Sequence, residues 1–236
     1  AAMINLKNRS SEKEIMDDFS QSGETIDQTL RELERINALL GGNYVSTGGV
    51  AKLLNGQAAK EYHIADLGCG GGDMMMYLSK WGEGNGYNLK FSGIDANSAI
   101  VDFAEENTNT FQNIKYYPLN IFSPEFKSLN PDIFHCSLFA HHFTEEELVP
   151  LLRQLLNQSN LGLVINDLHR HIISYYFTKW IIRTFSKSSM VRYDSVVSIQ
   201  RSFKRNEIEV ILKKAGITNY FLKWKWAFRW QLVIYK

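Results

Sequence analysis

One glycine-rich turn constrains this chain more than any other feature. The run His63-Ile64-Ala65-Asp66-Leu67-Gly68-Cys69-Gly70-Gly71-Gly72-Asp73 reads as a short apolar strand with an acid near its end, followed at once by glycines at 68, 70 and 72. Without a Cβ, such residues let the chain turn tightly from strand into helix and let a ligand approach the backbone. A dinucleotide-binding G-x-G-x-x-G counted from Gly68 needs a glycine at position 73, and Asp73 stands there instead. A second acid, Asp95, closes the next predicted strand, where a carboxylate can accept both hydroxyls of a ribose.

Around this turn, hydrophobic periodicity predicts strands at 62–67, 89–94, 113–118, 132–138 and 161–166, with helices near 73–81, 97–108 and 145–158 between them. Such alternation predicts an α/β fold, a mostly parallel sheet with helices on both faces. Thr144 and Glu147 form a capping box for the third helix, and Pro150 is expected to kink it. Next comes an aromatic helical stretch with Ile173, Tyr176, Phe177, Trp180, Ile181 and Phe185 on a broad apolar stripe. Residues 186–202 read as polar and irregular, and 205–215 as a helix stopped by Gly216. Two strands finish the chain at 221–226 and 231–235; Lys223 and Lys225 alternate with Leu222, Trp224 and Trp226, predicting one wet face and one packed face. Ahead of the first strand, residues 12–55 contain one clear amphipathic helix, 25–40, ended by Gly41-Gly42. The organisation expected is one domain: a helical N-terminal cap (1–60), a cofactor-binding core (61–167), a helical lid insertion (168–202), and a C-terminal helix and hairpin (203–236).

The pattern Asp66-x-Gly68-x-Gly70-x-Gly72, with Asp95 after it, resembles the first motifs of the class I S-adenosylmethionine-dependent methyltransferases. That resemblance implies a Rossmann-like seven-stranded sheet closed by an antiparallel hairpin, with S-adenosyl-L-methionine as cofactor. It places Asp66, Gly68, Cys69 and Gly70 around the amino-acid portion, Asp95 and Ala96 at the ribose, and Asn120 and Ile121 at the adenine. The family usually has Asp where Asn120 stands; the amide carbonyl can accept the same hydrogen bond. Ser137 and Leu138 would lie near the methionine portion, and His142, with His141 second, becomes the candidate general base beside the methyl group.

Four short stretches narrow the resemblance. Glu14-Ile15-Met16-Asp17-Asp18, Leu33-Glu34-Arg35-Ile36-Asn37, Asp167-Leu168-His169-Arg170 and Ser198-Ile199-Gln200-Arg201 are similar to a bacterial subgroup of small-molecule methyltransferases associated with type III polyketide synthases. Members of that subgroup methylate phenolic or quinonoid polyketides, which implies a lipophilic acceptor touched by Phe139, His169, Arg170, Tyr176 and Arg201. Two other readings stay open: an RNA or protein methyltransferase using a basic C-terminal third, and a noncatalytic relative that only binds the cofactor.

Charge bears on those alternatives. Residues 179–236 carry thirteen Lys and Arg against three acids, although the whole chain is only +1. Such asymmetry can mark a nucleic-acid surface or peripheral contact with an anionic membrane, but the absence of a run of consecutive bases favours a solvated face, and nucleic acid is not expected as a partner. No leader-like apolar segment is seen near the start, and the longest apolar stretch, 172–182, is interrupted by Lys179 and too short to span a bilayer, so a cytoplasmic location is expected. Cys69 and Cys136 suggest neither disulfide nor metal chemistry, and no His-x₃-His or Cys-x₂-Cys spacing supports a metal site.

Overall fold

Five parallel strands carry the molecule: β1 (Glu61–Leu67), β2 (Asn88–Asp95), β3 (Ile114–Pro118), β4 (Ile133–Ser137) and β5 (Gly162–Leu168). In the computed structural model, which describes residues 4–55 and 60–236, two further strands complete the sheet, β6 (Tyr220–Lys225) and β7 (Arg229–Tyr235). Residues 1–3 and 56–59, which fall in the expected cap, lie outside the described residues. The order is β3-β2-β1-β4-β5-β7-β6; β7 runs antiparallel to both β5 and β6. This is the seven-stranded sheet and terminal hairpin expected. Because β1 is paired on both sides, by β2 and β4, and covered on both faces, its residues from Ile64 to Leu67 are all buried rather than alternating.

Helices cover each face. On one side α5 (Glu145–Gln158) and α8 (Arg205–Lys214) bury Leu148, Leu152, Leu155, Ile208 and Leu212 against the sheet. On the other, α2 (Gly42–Leu54) and α3 (Asp73–Gly84) bury Val50, Leu54, Met75 and Leu78, and α4 (Ser98–Asn107) packs against β2 and β3. The capping box of α5 forms: Glu147 N–H donates to Thr144 Oγ1 at 3.3 Å, and Thr144 N–H to the Glu147 carboxylate at 2.8 Å. Assigned helix continues past Pro150 to Gln158.

Three regions differ from the sequence reading. The cap holds two helices rather than one, since α1 (Glu24–Leu39) is followed directly by α2. Its sequence GNYVSTGGVAKLL reads as loop because glycine is a weak helix former; here glycine serves close packing, and a Cβ on Gly49 would fall 2.5 Å from Val164. Residues 189–201, expected to be irregular, form α7 (Ser189–Arg201). Polar Asp194, Ser198 and Arg201 are buried in it alongside Met190 and Val197, so no apolar stripe marks it out. Finally, Trp224 on β6 is exposed because β6 is the edge strand, and Trp226 just beyond it is 62% exposed. The aromatic stretch folds as α6 (Ile172–Phe185), but only Ile181, Ile182 and Ser174 are buried; Ile173, Tyr176, Trp180 and Phe185 face solvent.

Candidate active site

The carboxyl ends of β1, β2, β4 and β5 open on one cavity of about 900 Å³, roofed by α1, α6, α7 and residues 9–19. At its floor, the N–H groups of Gly68 and Cys69 both donate to Ile94 O, at 2.8 and 3.1 Å, which ties the glycine turn to β2. Gly68 has φ +63°, and a Cβ there would lie 2.3 Å from the Phe139 ring. Only glycine fits both constraints.

Carboxylates ring this floor. Asp66 accepts a 2.6 Å hydrogen bond from His135 Nδ1, and His135 Nε2 lies 2.8 Å from Ser46 Oγ on α2. Burial raises the Asp95 carboxyl, against the pull of N–H donors including that of Asn97 at 3.0 Å. Burial, with Glu34 and Asp66 close by, pushes Asp73 up to about 7. Asn120 Oδ1 accepts the Phe122 N–H at 2.9 Å, so its carbonyl already braces the turn and has one lone pair left. Ile121 is buried on the cavity wall, and Ser137 Oγ is buried beside it without a partner. Leu138 follows with φ +53°, a left-handed backbone that costs a non-glycine residue on the order of 1–3 kcal/mol and is typical of functional turns.

The two histidines behave differently. His141 is fully buried, its Nδ1 donating to Asp167 Oδ1 at 2.7 Å and its Nε2 lying 3.2 Å from Glu14 Oε1. Burial alone would lower its pKa, but the charges of Asp167 and Glu14 outweigh that and push it up to about 10. His141 is thus engaged by a carboxylate at each ring nitrogen, Asp167 at Nδ1 and Glu14 at Nε2. His142 is partly exposed on the cavity wall; its Nδ1 donates to Asp17 Oδ1 at 2.6 Å, and Arg201 donates to the same carboxylate at 2.5 Å. Although burial opposes it, the hydrogen bonds and charges of His142 and Arg201 hold the Asp17 carboxyl well below the usual range. Arg9 pins this layer from outside, donating to the carbonyls of His141, Phe143 and Arg201.

Residues 64–159 match the family described as Methyltransferase domain. With its glycine turn, the acid at the end of β2 and the sheet order above, the chain has the methyltransferase Rossmann-like fold. No curated protein sequence matches the chain. Among solved structures it is similar to human N-acetylserotonin methyltransferase in complex with SAM, at 12% identity and TM-score 0.66, covering 96% of this chain and 60% of that one. It is similar to an O-methyltransferase family protein from Burkholderia thailandensis, at 15% identity and TM-score 0.67, over 94% and 63% of the two chains. A third is the plantazolicin methyltransferase BpumL in complex with a monoazolic desmethylPZN analogue and SAH, at 21% identity and TM-score 0.59, over 82% and 70%. The chain thus spans less than two thirds of the first two proteins.

The sheet and its roof bring Asp66, Gly68, Cys69, Gly70, Asp95, Ala96, Asn120, Ile121, Ser137, Leu138, Phe139, His142 and Arg201 to the cavity. Three expected acceptor contacts lie elsewhere. Arg170 is buried, ion-paired with Glu207 and donating to the carbonyls of Leu6, Lys7 and Ser202, so it clamps the N-terminal segment. His169 packs edge-on against Trp230 at 4.9 Å, and Tyr176 points to solvent.

Several site residues were not visible as such in the sequence. Glu14 and Asp17 arrive from a segment more than 120 positions away in the chain, and Arg229 from β7, buried with its Nε unpartnered and donating to Asn37 Oδ1 at 2.6 Å. Spacing rules also missed that Glu14, His141 and His142 converge, with ligand-type atoms within 4.8 Å of one another. In this arrangement carboxylates hold both Nδ1 atoms, and Glu14 faces both Nε2 atoms, at 3.2 and 3.9 Å.

Proposed function

We propose that this chain transfers a methyl group from S-adenosyl-L-methionine to an oxygen, phenolic or quinolic, of a lipophilic small molecule, with His142 as general base. The cofactor supplies a methyl carbon already activated by positive sulfur. What remains for the protein is to align, exclude water and take up a proton, and no nucleophilic side chain is needed. Cys69 and Cys136 agree with that, since burial pushes both thiols well up and keeps them inert.

The observation that carries the reading is His142 on the cavity wall, next to Phe139 and braced through Nδ1 by Asp17. A carboxylate on Nδ1 fixes the tautomer in which the acceptor nitrogen is Nε2, which lies 3.9 Å from Glu14. The glycine turn, Asp95 and the orphaned Ser137 Oγ fit the cofactor, and Leu33, Ile36, Phe143 and Val191 give the rest of the cavity an apolar wall suited to a lipophilic acceptor. An RNA or protein acceptor has less support at the cavity itself, where the basic third contributes Arg201 and Arg229, buried and engaged by Asp17, Asn37 and Asn166.

Two results are expected. Asp95→Ala should weaken both S-adenosylmethionine and its demethylated product by on the order of 1–3 kcal/mol, because buried ribose hydroxyls lose their acceptor. Calorimetric affinity unchanged in a folded variant would take Asp95 out of that role. Residues 12–55 and 169–200 act as a lid, since the first segment reaches the site through Glu14 and Asp17 and is held to α7 by Asp194, which accepts the N–H groups of Ile15 and Met16 at 2.7 and 3.1 Å. Hydrogen exchange should slow in both segments on adding cofactor with an alkylphenol; protection confined to the glycine turn would end the lid reading.

A further inference from the structure

The exposed side of α6 is an apolar surface of a kind a folded domain rarely leaves bare. Ile172, Ile173, Tyr176, Trp180 and Phe185 are between 44% and 61% exposed, and Ile172, Ile173, Tyr176, Phe177 and Trp180 form a shallow groove. The surface continues on to the terminal hairpin: Phe177 lies 5.8 Å from both Trp226 and Phe228, and Phe228 lies 5.9 Å from Trp224. Trp226 is 62% and Trp224 40% exposed. A contiguous patch of this kind marks an interaction site rather than scattered surface apolarity.

Its electrostatics choose the partner. Residues 168–193 contain no acid, and neither do residues 210–236, so both segments that build the patch lack carboxylates. Lys179 and Arg183 sit one turn apart along the flank of Tyr176 and Trp180, Lys187 follows beyond α6, and Lys223 and Lys225 alternate with Trp224 and Trp226. None of these five cations forms an ion pair among the described residues. A second copy of the chain docked symmetrically on this face would bring the same unpaired cations together. Aromatic and aliphatic side chains beside unpaired Lys and Arg instead suit the headgroup boundary of an anionic bilayer, where rings and aliphatic chains enter the interface and ammonium and guanidinium groups meet phosphates.

We propose that the outer face of α6, with the β6–β7 tip, docks the protein peripherally on an anionic lipid surface. No helix of the described residues is long and apolar enough to cross a membrane, so the contact is a surface one. The inner side of the same helix places Thr178 and Ile182 on the wall of the cavity, which puts the acceptor chamber about one helix diameter, roughly 10 Å, from the bilayer surface. The inference stands apart from the identity of the acceptor and from His142.

Flotation with phosphatidylcholine vesicles, with and without phosphatidylglycerol, tests it on the full chain. Wild-type protein should float with the phosphatidylglycerol vesicles, less so at high salt, and only weakly with phosphatidylcholine alone. The pair Lys179→Glu and Arg183→Glu should lower partition at least roughly 25-fold, from roughly fivefold for each cation lost. The pair Ile173→Ser and Trp180→Ser should abolish flotation while leaving cofactor affinity and far-ultraviolet circular dichroism unchanged, which separates lost docking from lost folding. No flotation of the wild type at low salt, or flotation of both variant pairs undiminished from the wild type, overturns the proposal. So does a concentration-dependent dimer that Trp180→Ser dissociates while vesicles bind nothing, since the face would then belong to a second copy.

Discussion

His142→Ala should slow methylation of an ordinary phenol by about 10² to 10⁴-fold while hardly touching a nitrophenol-like acceptor that is already ionised in solution. A phenol ionises near pH ~10, so at neutral pH its proton has to leave as oxygen attacks carbon. An ionised acceptor needs no base. Asp17→Asn should cause a smaller loss with the same preference for un-ionised acceptors, because the amide oxygen can still hold Nδ1–H but the negative charge 2.6 Å from the ring is gone. Cofactor affinity should be unchanged in both variants. Equal losses for both acceptors would show that His142 only shapes the cavity; no loss in either would leave desolvation of the phenol as the sufficient cause.

The largest expected stability effect lies one residue earlier. Asp167→Ala leaves the His141 cation buried with Glu14 alone, and breaking a buried ion pair from one side costs on the order of 3–5 kcal/mol. Removing the cation itself, in a His141→Gln background, should recover part of that loss, and the double-variant cycle measures the coupling. The pH dependence has a definite sign. His141 binds its proton more tightly folded than unfolded, its pKa being raised from about 6.5 to about 10, so its stabilisation is full below about pH 6.5 and is lost as pH rises through 10. Asp167 works in the opposite sense: burial opposes it, but the His141 charge and donated N–H groups lower its carboxyl, and its contribution fades as pH falls below the ordinary carboxylate range. Urea unfolding of the wild type should therefore lose stability between pH 7 and 10 relative to His141→Gln; parallel curves would mean that His141 is neutral when folded.

Much of this architecture was legible in the chain. Short strands rich in apolar and β-branched residues alternate with helical patterns, and a glycine turn between strand and helix, followed by an acid at the end of the next strand, fixes where a cofactor would lie. The reading failed where local pattern and tertiary role part company. In α2, glycines that argue against a helix are there so that the helix can lie against Val164; in α7, a helix buries polar side chains that pair with a segment near the N-terminus. The aromatic stripe of α6 was legible as a helix, but periodicity says only that a face is apolar, not what it meets, and Tyr176 turns out to face solvent. Asp17 and Glu14 illustrate the harder limit. Residues 14–18 stood out through a resemblance alone; no spacing at those positions says that the segment will cross the site and complete the environment of two histidines, because that pairing exists only in the folded chain.

Transfer of an isotopic methyl label decides the central claim most directly. With methyl-labelled S-adenosylmethionine and a panel of long-chain alkylphenols, hydroquinones, RNA and protein, the label should appear in an organic-extractable O-methyl ether of a phenol or quinol, and His142→Ala should suppress it. Cofactor that binds normally while label enters RNA, protein or nothing at all would contradict the account.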